Sequence, residues 1–238
     1  MSNTRNLKLK QRIENVRDKT PIRVVNFDLN DIELHFKVNL NSLKRHFKLA
    51  DELVSLGKTD EAKDIWRTQI VFLESALDFY LHEITKFGMN KIFNNEWSHT
   101  EKFKNYTLRL SDVIQAISNP EDASWFVEHV NSTIMNESFM DFDSIRDQLN
   151  LIGIKVSKVA DRAFYVQGCS EPTIQQLKRH LNRIFRRRNH IVHQSDRSHL
   201  SGVINDITKV YVEEEIEIIE KIVNSIHHFL ENYESEMS

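Results

Sequence analysis

The chain is poor in the residues that break helices. Its 238 residues include five glycines and three prolines. That scarcity points to long helices joined by few tight turns, and away from a β-sandwich or a doubly wound sheet. A single cysteine, Cys169, excludes an intrachain disulfide and a cysteine-based zinc site, and fits a reducing compartment. The N-terminus lacks an apolar run of signal-peptide length. No segment reaches the roughly 20 apolar residues of a membrane span. The expectation is a cytoplasmic protein.

What is present fits a folded helical chain. Apolar residues make up 40% of the sequence, enough for one sizeable core at this length. The net charge of -3 hides a local asymmetry. Between Glu171 and Val203 there are seven Lys/Arg against two Asp/Glu; from Ile204 to Ser238 there are two against nine. A basic segment followed by an acidic one suggests a localised anion-binding surface, not a uniformly basic nucleic-acid binder.

Residues 1–19 read as polar, basic and helical or frayed, with a break at Pro21. A helix is expected from Asn30, as N-cap, to about Leu56, although its apolar positions fit one face imperfectly. A second runs from about Asp60 to Phe87 and stops at Gly88. Its middle is apolar nearly all round, as in a central bundle helix, yet Glu74, Asp78 and His82 form one polar strip at four-residue spacing. Residues 89–105 read as a polar connection. Shorter helices are expected at about 106–118, 121–137 and 141–151, followed by an irregular stretch over 152–170 with an extended piece at Ala163–Val166. Ser170-Glu171-Pro172 opens a further helix, and a last one covers about 204–232. The fold class is all-α: a helical bundle with long antiparallel core helices and short peripheral ones. The division is a helical extension over 1–58 and a main domain over 59–238.

Chemistry concentrates in Arg186-Arg187-Arg188-Asn189-His190-Ile191-Val192-His193. On a helix turning 100° per residue, Arg188 falls on the apolar stripe of Ile184, Ile191 and Val192. A cation is rarely placed there without a partner. Either a carboxylate reaches it, or this face closes a cleft or an interface. Asn189 and His193, four apart, share one strip. Arg188 and His193 lie about 140° apart, so one turn cannot set them side by side. Arg188 would grip a scissile phosphate, His193 would be general base or acid, and Asn189 would orient one or the other. RNA supplies its own 2'-OH nucleophile, so such cleavage needs no metal and no cofactor. Lys178, Arg179, Arg183, Arg186 and Arg187 would track the phosphate backbone, with a contact also open to Arg197. The bland alternative is a solvated basic face paired with the acidic last helix.

Arg188-Asn189-x-x-x-His193 resembles the Arg-polar-x-x-x-His motif of the HEPN superfamily, whose nuclease members cut RNA without metal. The segment Phe72–Glu83 is similar to the first core helix of the RiboL-PSP-type HEPN domains, and Leu149–Ile154 also resembles a segment found there. The likeness spans about residues 60–235. It implies a homodimer in which two motif helices meet at the dyad, so that one composite cleft receives Arg188 and His193 from both chains. It further implies a prokaryotic defence or toxin–antitoxin effector acting on transcripts or tRNA, with a separate antitoxin or sensor protein. The acidic residue expected to support the site is Asp78, which could satisfy Arg188 or fix the tautomer of His193; a local pair with His82 is the alternative. Members that only bind also exist, which leaves a second function open: a non-catalytic helical dimer binding nucleotide, RNA or a protein partner. The remaining histidines lack metal-ligand spacing. His190 is expected at the surface, Cys169 inert, and Phe72, Phe79 and Tyr80 in the core. Asp196 and Arg197 are expected to end the motif helix or to pair with each other.

Overall fold

A computed structural model describes residues 26–122, 124–134, 139 and 141–236. The readings for residues 1–19 and Pro21 lie outside them. The long elements are α1 (Leu29–Ser55), α2 (Thr59–Phe93), α8 (Thr173–Gln194) and α9 (Lys209–Glu231). Between them lie α3 (Glu101–Lys104), α4 (Leu110–Ser118), α5 (Ser124–Ile134), α6 (Phe142–Leu151) and α7 (Val156–Phe164), and α10 (Tyr233–Glu236) follows α9. The protein is all-α: the described residues contain no strand, only an isolated bridge between Arg197 and Ile204. No helix among them is long and apolar enough to cross a membrane.

The centre of the bundle is α2. Its 35 residues extend about 50 Å, and it packs against α1, α5, α6, α8 and α9. Neighbours on several sides explain why its middle is apolar nearly all round. Leu73, Leu77, Tyr80, Leu81 and Ile84 are all buried. It does not stop at Gly88. There a Cβ would come within 2.7 Å of Ile152 Cγ2 and 3.1 Å of Trp97. The glycine lets the α6–α7 turn close on the helix; it does not end it.

The other boundaries shift for local reasons. The N-cap of α1 is Asp28, whose carboxylate accepts from the Asp31 N–H at 2.8 Å, rather than Asn30. Pro172 takes the cap position of α8 without a side-chain bond, so Ser170 does not cap it. Residues 156–164 form α7 where an irregular stretch was expected, because Val156, Val159 and Ala160 give a short chain one buried edge. α9 begins at Lys209, not 204, where Thr208 accepts from the Tyr211 N–H at 3.2 Å. The helix α1 shares the main core. Its Ile32, Phe36, Leu40 and Leu43 are buried in the same cluster as Leu73 and Tyr80. Its exposed Leu34, Val38 and Leu49 are what blurred its pattern in the sequence.

Candidate active site

The motif sits at the end of α8 that leaves the core. Leu177, Leu181, Ile184 and Phe185 are buried, but further along Val192 is 46% exposed and His193 is exposed. Ser195 then ends the helix in the left-handed conformation, and Asp196 repeats it with φ 54°. Aspartate is among the residues that tolerate this region best after glycine.

A carboxylate does reach Arg188. Its Nε lies 3.3 Å from Glu74 Oε2, and its Nη1 donates to Asn189 Oδ1 at 3.1 Å. Glu74 is nearly fully buried. Burial, with the Asp78 charge adding to it, holds the Glu74 carboxyl above its usual range although Arg188 pulls the other way. Asp78 lies one turn further along α2. It accepts from the Phe139 N–H at 3.1 Å and lies 3.6 Å from His82 Nδ1. The structure thus brings together Arg188, Asn189 and Glu74, with Asp78 next to Glu74. His193 has no polar partner among the described residues and faces solvent one turn beyond Asn189.

Asp196, whose partners the sequence did not reveal, anchors this end of the bundle. Fully buried, it accepts from Arg67 Nε at 2.8 Å and Arg187 Nη2 at 2.7 Å on the same oxygen. Asn205 Nδ2 donates to its other carboxylate oxygen at 3.2 Å, and the Asn205 N–H to its carbonyl at 2.7 Å. Asp196 therefore pairs with α2 and with α8, not with Arg197, which donates to the Gly202 carbonyl at 2.8 Å. This knot ties the segment after α8 to both core helices and fixes where His193 stands. The sequence carried one signal for it: an aspartate three residues beyond the histidine.

The remaining cations divide by what they touch. Arg179 pairs with Glu171 at 3.0 Å, and Arg183 with the fully buried Glu215 at 2.5 Å. Lys178 lies over the Phe142 ring, 5.4 Å from its centroid. Arg186 is exposed and meets no acidic or polar side chain among the described residues. Among those residues no group of three or more His, Cys, Asp or Glu could hold a metal ion.

A family model, RiboL-PSP-HEPN, matches residues 34–232. The chain belongs to the RiboL-PSP-HEPN family. No curated protein and no solved structure matches it. The HEPN match starts inside α1, earlier than residue 60, in keeping with the shared core. It also spans the whole of α8, so Arg188, Asn189 and His193 lie within the HEPN domain.

Proposed function

We propose that this HEPN protein is a metal-independent endoribonuclease that works as a homodimer. The observation that carries the reading is the Arg188-Asn189-x-x-x-His193 set at the emergent end of α8, with Arg188 and Asn189 in contact and His193 free to meet a ligand. Two copies of that helix end, facing each other, would supply one cleft with two imidazoles. One takes the proton of the ribose 2'-OH as its oxygen attacks phosphorus. The other gives a proton to the departing 5'-oxygen as the P–O5' bond breaks. Arg188 stabilises the charge that grows on the phosphoryl oxygens, and Asn189 holds the guanidinium in line. The products are a 2',3'-cyclic phosphate and a 5'-hydroxyl end. Exposed Val192, Leu200 and Val203 beside the motif suit a face that a second copy covers. The biological setting that fits is a prokaryotic defence or toxin–antitoxin effector acting on transcripts or tRNA under the control of a separate protein.

The test is incubation of the purified protein with total RNA in EDTA, with the ends mapped. Cyclic-phosphate ends are expected from the wild type, and none from Arg188→Ala or His193→Ala proteins that keep their helical circular dichroism. Cleavage that persists in His193→Ala would sink the assignment. A second reading, a dimer that binds nucleotide, RNA or a protein partner without cutting it, has one observation in its favour: Glu74 already occupies Arg188. It predicts salt-sensitive binding with no cyclic-phosphate product.

A further inference from the structure

A groove of about 650 Å³ opens between α8 and the start of α9, on the far side of α8 from Glu74. Its volume lies in the range of pockets that hold small organic ligands. Arg179, Arg183, Arg186, Arg187 and His190 line it from α8, and Tyr211 and Ile207 from the other wall. Three of these arginines are committed. Arg179 holds Glu171, Arg183 holds Glu215, and Arg187 holds Asp196. The one carboxylate in the lining, Asp206, is countered by Lys63 at 2.8 Å. What remains uncommitted among the described residues is Arg186, with the His190 imidazole next to it on the same face.

The groove is continuous with the motif. A second hollow, lined by Phe185, Asn189 and Gln194, shares Asn182, Arg186 and His190 with it. Around the helix, Arg186 lies about 160° from Arg188 but only about 20° from His193, two turns on. A phosphate at Arg186 is therefore not the one at Arg188, yet a strand lying along this face passes Asn189 and reaches His193. The Tyr211 ring, already under the Arg183 guanidinium at 5.4 Å, adds a flat apolar surface to the opposite wall.

We propose that this groove binds a nucleoside phosphate: Arg186 and His190 hold the phosphate, and the base lies against Tyr211 and Ile207. In the nuclease reading, on which the identity of the strand rests, it is the flanking nucleotide of a single-stranded RNA. Stacking on an aromatic wall beside a cation is how single strands are held with little sequence preference.

Binding is measured in the His193→Ala background, so the result does not depend on cleavage. The probes are a fluorescein-labelled 12-mer of single-stranded RNA, read by anisotropy, with adenosine monophosphate and inorganic phosphate as competitors. Adding Arg186→Ala raises the 12-mer Kd about tenfold and lowers the slope of log K against log salt by about one. Adding Lys221→Ala, which removes the same charge from an exposed position of α9 outside the groove, changes Kd less than about twofold. Adenosine monophosphate competes better than inorganic phosphate if the wall holds the base. Equal losses in the two variants mean diffuse charge attraction and overturn the proposal. Equal competition by phosphate and nucleotide also overturns it, by removing the base subsite. If the wild type makes no cyclic phosphate while Arg186→Ala still loses binding, the nuclease reading fails and the groove stands.

Discussion

Arg188 of α8 and Glu74 of α2 meet at 3.3 Å across the core, the guanidinium partly open to solvent and the carboxylate closed off from it. The pair sets the direction in which the motif's cation points. Glu74→Gln keeps the shape and removes the charge, leaving Arg188 to swing. On the proposed nuclease reading, the expected result is a kcat for RNA cleavage lower by about ten- to a hundredfold with KM little changed, as follows when a positioned group is displaced. Steady-state kinetics on a labelled oligonucleotide checks it. An unchanged kcat would remove Glu74 from the site.

Arg67 Nε and Arg187 Nη2 meet on one carboxylate oxygen of Asp196. Asp196→Ala leaves two largely buried guanidiniums without it, and breaking a buried pair from one side costs about 3–5 kcal/mol. Urea denaturation reads the loss. Asp196→Asn tolerates the positive φ better than alanine does, so it separates the charge effect from the backbone effect and is expected to fall between alanine and wild type.

His180 on α8 stacks on Phe164 with ring centroids 5.2 Å apart. Burial, helped by Arg179 and Arg183, lowers its pKa from 6.5 to about 4. Between those values the unfolded chain takes up a proton that the folded chain refuses. The stability this group contributes is complete above pH 6.5 and is lost as the pH falls through that window. His180→Gln is expected to flatten the dependence of the urea midpoint on pH between 7 and 4.5, because the variant has no imidazole to charge. Parallel curves for the two proteins would contradict the assignment.

Gly153 and Gly168 offer a matched comparison. Both have positive φ, +87° and +84°, but a Cβ at Gly153 would stand 2.5 Å from Tyr233 Oη, while one at Gly168 would meet nothing within 4 Å. Gly168→Ala is expected to lose about 1–2 kcal/mol, the cost of the left-handed backbone for a residue with a Cβ. Gly153→Ala adds an overpacking cost of about 1–3 kcal/mol. It also changes the near-ultraviolet circular dichroism, since Tyr233 stacks on Trp97 at 3.8 Å.

The parts of the site that were legible are those whose partners sit close in sequence. Arg188, Asn189 and His193 are read from one helical repeat, and the presence of Arg188 on an apolar stripe called for either a carboxylate or a cleft or interface at that face. Glu74 was visible only as one of three polar positions on a strip, and nothing local distinguished it from Asp78. The side chains differ because Glu74 is nearly buried under α8, while Asp78 turns to the Phe139 N–H. Asp196 was unreadable for another reason: Arg67 is 129 residues away, and only the folded chain brings them together. The fold followed the same rule. The amphipathic α8 and α9 were plain, whereas the passage of α2 through Gly88 depended on a contact with Ile152 in the distant α6–α7 turn.

The interlock of the first two helices decides how this protein can be handled. Phe36 meets the ring of Tyr80 with centroids 5.6 Å apart, and the buried Gln69 side chain donates to the Leu43 carbonyl at 2.9 Å. Trimming the gene so that translation starts at residue 59 would strip one wall from the central helix. It would bare Tyr80 to water and leave the Gln69 amide without its acceptor. A shortened version meant to isolate the motif-bearing portion should come out of the cell as aggregate, so any folded fragment has to include α1 from its Asp28 cap onward.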